Sequence, residues 1–315
     1  MGDVARITEM LLSSCDWCPR ACGADRAHGR IGACGADDTI KVARSALHYW
    51  EEPCLSGEAG SGTIFFSNCP LRCVYCQNAD IAQGHAGKEV SFERLVQMMF
   101  ELERAGALNI NMVTPTHYAP IIRVAIDEAR KQGLSLPIVW NTSGYETVES
   151  IRSLCGFVDI YLADFKYARS QTAADYSNAP DYPQVALAAI DAMVEQVGSP
   201  LFDSDVNGEP VMRSGVIVRH LLLPGHVEES AEAIALIHNR YGDAVRLSIM
   251  NQYTPIIASD SVAGMRFPEL LERVPDGEYE ALLAFADEIG VEDYYWQDGP
   301  ASLESFIPAF DLTGV

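Results

Sequence analysis

Three cysteines, Cys69, Cys73 and Cys76, stand at spacing C-x3-C-x2-C in the stretch SNCPLRCVYCQN. Thiolates are soft ligands suited to iron–sulfur clusters and zinc. Positions i, i+4 and i+7 of one loop can converge on a single centre. A structural zinc or a four-thiolate cluster closes its coordination with four protein ligands. Three leave one metal vertex open, and an open vertex marks a site that binds a reactant as well as holding the fold. The alternative is a zinc completed by a distant residue such as His85, but structural zinc sites usually pair their ligands as C-x2-4-C or H-x3-5-H units.

A second group, CDWCPRACGADRAHGRIGACG, places Cys15, Cys18, Cys22 and Cys34 as C-x2-C-x3-C-x11-C. Four thiolates satisfy tetrahedral coordination with no vertex to spare. Zinc and an auxiliary iron–sulfur cluster are both chemically adequate, and a zinc-ribbon-like staple is the simpler reading. Cys54 and Cys155 stand alone and read as unliganded. An odd total of nine, seven of them in two tight clusters, fits metal ligation better than a disulfide framework.

The elements that position these cysteines follow a regular alternation. The apolar run TIFF (63–66) leads into the triplet, and LNINMV (108–113), PIVWN (137–141), FVDIYLADF (157–165), GVIVRHLLL (215–223) and VRLSIMNQ (245–252) read as five further strands. Helical periodicity separates them: Phe92, Leu95, Val96, Met99 and Leu102 recur on one face after a capping Ser91, and a second helix stops at Gly133. Segments 184–197, 228–240 and 278–289 read as further helices. Six strand–helix units predict an α/β fold with a parallel sheet, doubly wound or a partial barrel, whose active face lies beyond the strands' C-terminal ends. Polar residues do cluster there: TPTHY (114–118), NTSGY (141–145), ADFKY (163–167), RHLLLPGH (219–226) and NQYTP (251–255). The expected organisation is a small cysteine-rich lobe (1–62), the main domain (63–255) and a C-terminal helical and aromatic extension (256–315).

Net charge is −22, from 22 basic and 44 acidic residues. Such a field repels nucleic acid and anionic membranes. The absence of a long apolar run and of a basic, apolar leader gives a cytoplasmic expectation.

The triplet after a first strand, with the aromatic Tyr75 before its last cysteine, resembles the radical S-adenosylmethionine (SAM) superfamily. CVYCQN, DIAQ and the upstream EEPCLSGEAGSGTIFFSNCPLRC are similar to the branch of the pyruvate formate-lyase activating enzymes, in particular members with an N-terminal C-x2-C-P-R-x-C-G lobe. The resemblance spans about residues 15–255 and implies a partial (β/α)6 TIM-type barrel. It implies that Cys69, Cys73 and Cys76 hold a [4Fe–4S] cluster whose fourth iron takes the amine and carboxylate of SAM. Reductive cleavage there yields a 5′-deoxyadenosyl radical that abstracts a hydrogen atom. By the same resemblance the reductant is a flavodoxin or ferredoxin, and the substrate a backbone glycine of a glycyl-radical enzyme partner, with a small molecule or another peptide as the alternative. A non-catalytic metal-binding or redox protein is a reading of another class. The region 168–214 and the tail 291–315 would form the partner surface.

The resemblance also implies SAM contacts. Asp164 and Lys166, two apart at a strand end, share one side. Arg219 supplies a bidentate clamp, in preference to His220 on the opposite face. Asn141, Ser143 and Asn251 fall where relatives contact SAM's polar atoms. Where the activating enzymes carry Gly-Gly-Glu against the SAM amine, this chain has Thr114-Pro115-Thr116-His117, so Thr114 and Thr116 are the replacing contacts.

Overall fold

The computed structural model describes residues 13–205, 207–297 and 308–315. Ten strands join in one sheet among these residues: β1 (Lys41–His48), β2 (Ser61–Phe66), β3 (Lys88–Glu89), β4 (Ile110–Val113), β5 (Ile138–Thr142), β6 (Ile160–Asp164), β7 (Leu201–Ser204), β8 (Pro210–Leu221), β9 (Arg246–Met250) and β10 (Tyr295–Trp296). Their spatial order is β10-β9-β8-β6-β5-β4-β2-β1-β3, with β7 paired on β8. The six strands expected from the apolar runs are β2, β4, β5, β6, β8 and β9. They lie side by side in chain order, every pair parallel. The sheet is mostly parallel and is not closed: β3 ends one side and β10 the other.

Helices cross between the parallel strands. α1 (Phe92–Arg104) buries Leu95, Val96, Met98, Met99 and Leu102. Its N-cap Ser91 accepts from the Arg94 amide at 3.1 Å, a contact worth about 1 kcal/mol to the helix. α2 (Ala119–Lys131) carries Pro120 in its first turn, where a missing amide costs nothing, and ends before Gly133 at φ +104°. α3 (Val148–Ser153), α4 (Tyr182–Val197), α5 (Val227–Tyr241) and α6 (Asp276–Glu288) complete the cover. Every residue of β2, β4 and β5 is buried, as a sheet covered by helices requires. None of the described helices is long and apolar enough to cross a membrane.

The edge beyond β2 departs from simple alternation. β1 lies inside the stretch that shows little periodicity, and it pairs antiparallel with β2, Val42 opposite Phe66 and His48 opposite Ser61. The chain therefore leaves β1 at the end of the sheet opposite the cysteine loop. There it forms a one-turn helix, Pro53–Ser56, whose Cys54 and Leu55 pack against Val139, Ile160, Leu162, Met212 and Ile217. This segment fills the N-terminal end of the parallel strands. Residues 308–315 return onto the outer edge of β1: the Ser45 amide donates to Thr313 O at 2.9 Å and the Leu312 amide to Ala43 O at 3.2 Å. The intervening part of the expected partner surface, 298–307, lies outside the described residues.

Candidate active site

The loop after β2 carries the three cysteines under visible constraint. Asn68 and Arg72 both take positive φ, 75° and 51°. The Asn68 amide donates to Ile81 O, and the Val74 amide to Tyr176 O at 2.8 Å. Tyr75 stands edge-on to Tyr167, Tyr176 and Tyr253, which fixes its ring between the loop and the far strands. Cys69, Cys73 and Cys76 all face one cavity of about 310 Å³, and Tyr75 lines it with them. Burial pushes the Cys76 thiol up to about 12 and raises Cys69 as well. Ligation must therefore displace their protons, as thiolate-bound metals do.

Opposite the cysteines a charged network closes the cavity. Asp164 ends β6 and Arg219 lies at the paired position on β8. Arg219 Nε donates to Asp164 Oδ1 at 2.9 Å, Nη2 to Asn141 Oδ1 at 2.7 Å and Nη1 to Glu51 Oε2 at 3.3 Å. Lys166 Nζ donates to Asp164 Oδ2 at 2.6 Å. Burial alone would raise the Asp164 carboxyl, but Arg219 and Lys166 outweigh it and hold it below the usual carboxylate range. For Lys166, burial is likewise overcome, chiefly by Asp164, and the ammonium sits above its ordinary value. Both ions are charged throughout the neutral range.

Asn141 and Ser143 both line the cavity, and the turn between β5 and α3 is drawn tight against β6. Gly144 has φ +76°, and a Cβ there would stand 2.2 Å from Asp164 O. Glycine is required at this position for close approach as well as for the turn. The Tyr182 hydroxyl lies 2.8 Å from both Ser143 O and Asp164 O and locks the two loops together. His220, one residue past Arg219, turns away into the core between Phe165 O and Ser230. The alternation of a regular strand explains the difference.

Thr114 also lines the cavity, at φ +58°. A β-branched residue in the left-handed region is a true outlier.

Two of the expected contacts lie elsewhere. Thr116 sits in a 3-10 turn, and its hydroxyl donates to buried Glu146 Oε1 at 2.7 Å, away from the cavity. Asn251 is buried without facing the cavity, which Met250 and Gln252 line instead, again by alternation along an extended chain. Gln252 is fixed by Gln77, which donates to its carbonyl at 3.0 Å, and by Gln297 at 2.6 Å. His85 is exposed and does not reach the cavity. Two acids, Glu51 and Glu52, were not anticipated. They enter from the exit of β1, and Glu51 Oε1 accepts from Asn111 and Asn141 at 3.2 and 3.3 Å. The adjacent acids before Pro53, leaving a strand of little apparent periodicity, were the available signal. Burial raises both carboxyls, against the pull of Arg219.

The N-terminal segment lies over the cysteine loop. Arg20 donates to Pro70 O at 3.0 Å and to Ser177 O at 2.7 Å. Arg72 donates to Cys34 O at 2.8 Å, and fully buried Arg26 to His117 O at 2.6 Å. Cys15, Cys18 and Cys34 are buried and Cys22 is exposed. A Cβ on Gly32 would stand 3.3 Å from Cys22 Sγ and 3.6 Å from Cys34 Sγ, so those two sulfurs flank one glycine. As the described side chains stand, no group of three or more His, Cys, Asp or Glu residues is gathered about a single-ion point.

Comparison with known proteins agrees with this arrangement. The family model for the radical SAM superfamily matches residues 63–237, more than half of the chain. The chain belongs to the radical SAM superfamily. An uncharacterised protein of Methanocaldococcus jannaschii is 26% identical over 298 residues, covering 92% of this chain and 79% of that protein. A radical SAM methyltransferase from Sphaerobacter thermophilus superposes with a TM-score of 0.50 at 15% identity, covering 76% of this chain and 67% of the other. Peptide-bound SuiB from Streptococcus suis gives a TM-score of 0.47 at 11% identity, covering 74% of this chain and 47% of that one. At these identities the solved structures speak to the fold alone.

Members of this superfamily use a [4Fe–4S] cluster and SAM, and the residues present fit both. Three thiols of one constrained loop face a common cavity, and among the described residues no fourth thiol lines it with them. Cys69, Cys73 and Cys76 would hold the cluster, which is bound through Cys thiolates. The other wall offers carboxylate, ammonium, guanidinium and amide groups, the set a zwitterionic amino acid and ribose hydroxyls require.

Proposed function

We propose that the protein is a radical SAM enzyme that uses Cys69, Cys73 and Cys76 as cluster ligands to activate SAM for hydrogen-atom abstraction. The observation that carries this reading is the meeting of the three thiols with the Asp164–Lys166–Arg219 network across one cavity. The cluster and SAM, when bound, supply the one-electron cleavage that yields the 5′-deoxyadenosyl radical. This chain supplies the holding of the reactants. Arg219 and Lys166 offer donors to carboxylate or hydroxyl oxygens, and Asp164 keeps both cations aimed into the cavity. Thr114, Asn141 and Ser143 line the remaining approach, and the Tyr75 ring excludes water beside the cysteine loop.

We read the substrate as a backbone glycine of a glycyl-radical enzyme, with a flavodoxin or ferredoxin as electron donor. A peptide or small-molecule substrate is the alternative. The four N-terminal cysteines are read as a zinc staple or auxiliary cluster that braces the cysteine loop through Arg20, Arg26 and Arg72.

The test is anaerobic reconstitution with iron and sulfide, followed by dithionite and SAM, with 5′-deoxyadenosine as readout. Product is expected, and Cys73→Ala should abolish it. An intact cluster that gives no product would sink the radical reading and favour a non-catalytic redox protein. Metal analysis of a Cys15/Cys18 double mutant separates the lobe's metals: lost zinc supports a staple, lost iron an auxiliary cluster.

A further inference from the structure

β6 keeps its neighbour β5 only as far as the pair Thr142 and Ala163. Beyond that pair β5 turns away at Ser143 and Gly144, with Gly144 at φ +76°. The chain after β6 still pairs on its other side, where the Phe165 amide donates to Arg219 O at 2.8 Å. In a parallel ladder each residue bonds the carbonyl before and the amide after the residue it faces. Continued at the β5–β6 register, Gly144 would face Phe165 and bond Asp164 O and Lys166 N. Its amide goes instead to Thr142 Oγ1 at 3.3 Å. Asp164 O and Lys166 N must therefore be satisfied by some other group.

One side-chain oxygen serves both. The Lys166 amide donates to the Tyr182 hydroxyl at 2.9 Å, and that hydroxyl lies 2.8 Å from Asp164 O and from Ser143 O, the acceptors of its proton. The hydroxyl thus replaces the peptide group that β5 withdraws, and the chain of β6 stays extended through Lys166. Alternation along it then sends Asp164 and Lys166 into the cavity and Phe165 into the core. Tyr182 itself opens α4 and does not line the cavity. It is fully buried, its ring stacked on Tyr145 with centroids 6.0 Å apart and edge-on to Tyr167 at 5.2 Å. A ring gripped on two sides holds its oxygen in one place.

We propose that Tyr182 is a positioning residue for SAM. Through backbone bonds on either side of Phe165 it sets where the Asp164 carboxylate and the Lys166 ammonium stand relative to Asn141 and Ser143 on the neighbouring loop. The proposal rests on the radical SAM reading for the identity of the ligand. It deepens that reading by placing a determinant of SAM affinity outside the cavity. Removing the one oxygen frees the Asp164–Lys166 backbone from the Ser143 turn while leaving every side chain that lines the cavity unaltered.

The experiment uses the reconstituted holoprotein. SAM binding is measured by equilibrium dialysis and by the change SAM makes in the EPR signal of the reduced cluster. Tyr182→Phe removes only the oxygen, and its SAM dissociation constant should rise about tenfold, the equivalent of one lost hydrogen bond. Its iron content and SAM-free EPR signal should match the unaltered protein. Tyr161→Phe is the control, since it removes a buried phenol oxygen from β6 whose partner, Gln196 at 2.7 Å, lies outside the cavity. Its SAM affinity should not change. In a Lys166→Met background Tyr182→Phe should weaken SAM much less, because the ammonium it places is already gone. Unchanged affinity in Tyr182→Phe, an equal loss in Tyr161→Phe, or a fully additive loss in the Lys166→Met background overturns the proposal. Iron lost from Tyr182→Phe also overturns it, by making the hydroxyl a support of the cysteine loop. 5′-Deoxyadenosine is scored separately on the unaltered protein. Its absence with SAM bound would refute the radical reading alone, and product with SAM affinity unchanged in Tyr182→Phe would refute the positioning role alone.

Discussion

Asp164 and Arg219 occupy paired positions on β6 and β8, with the guanidinium Nε 2.9 Å from the carboxylate Oδ1 and both side chains largely buried. The two ions are the hub of the cavity, since Lys166, Asn141 and Glu51 all attach to one or the other. Removing one partner of such a pair leaves an uncompensated buried charge, which typically costs about 3–5 kcal/mol. Arg219→Met should therefore lower the urea-derived stability by roughly that amount. The exposed Arg94–Glu101 pair has similar distances, 2.7 and 3.0 Å, but is solvated. Arg94→Met should cost no more than about 1 kcal/mol. Equal losses would show that burial is not what sets the difference. The pH sign follows from the lowered Asp164 carboxyl. Its contribution is present above the unfolded value, near pH 4, and is lost as pH falls through the folded one.

The six parallel strands were legible because a covered parallel sheet writes itself as short apolar runs, and β2, β4 and β5 are buried throughout. The cavity was legible where a polar residue directly ends such a run, as with Asp164, Asn141 and Arg219. Glu51 and Glu52 were not, because nothing local says that β1 turns back along β2 and delivers its exit into the cavity. Thr116 and Asn251 failed for a different reason. A strand end fixes which loop faces the site, but the side each residue takes depends on the turn that follows. The 3-10 turn at Thr116 sends its hydroxyl to Glu146, a partner thirty positions away.

Thr114 tests how much strain the cavity wall stores. At φ +58° its branched side chain occupies a region that glycine enters freely. Such a residue costs of order 1–3 kcal/mol. Thr114→Gly should recover part of this, offset by the greater freedom of glycine in the unfolded chain, for a net gain of about 1 kcal/mol. Thermal unfolding of the reconstituted protein would read it. If the hydroxyl also holds SAM, the variant should be more stable and bind SAM more weakly, a combination that a purely structural residue would not give.

Glu146 should make the protein less stable as pH rises. Its Oε1 accepts from Thr116, Thr142 and Trp140 while buried Oε2 has no partner among the described residues. Burial pushes its carboxyl up to about 7, against the pull of those donors. Between the unfolded value and about 7 the folded state holds a proton that the unfolded state has released, so stability falls with rising pH across that window. The full change is on the order of 3 kcal/mol. Glu146→Gln keeps the acceptor oxygen and should remove this falling contribution, leaving whatever the other groups impose. Denaturation midpoints at a series of pH values decide it, and an unchanged slope in the variant would show that another group is responsible.

His117 should impose the opposite slope. Its Nε2 lies 2.8 Å from Ser67 O, at the entrance to the cysteine loop, and its Nδ1 has no partner among the described residues. Burial brings the imidazole down to about 3, so the folded state keeps it neutral with Nε2–H donating. Below the unfolded value, near pH 6.5, the unfolded chain gains a proton that the folded one refuses, and stability falls as pH falls. Across the interval shared with Glu146 the two slopes are of equal size and opposite sign, about 1.4 kcal/mol per pH unit each. The unaltered protein should be nearly flat there as far as these two groups go. Glu146→Gln should then expose a stability that rises with pH, and His117→Leu one that falls. His117→Leu also leaves Ser67 O buried and unsatisfied, at a cost of about 1–3 kcal/mol, and it should lower the iron retained per chain after reconstitution. His117→Gln, which can still donate to that carbonyl, should restore the iron while leaving the pH slope of His117→Leu in place. Restored iron together with a restored slope would mean that the imidazole's titration is not the source of the pH dependence.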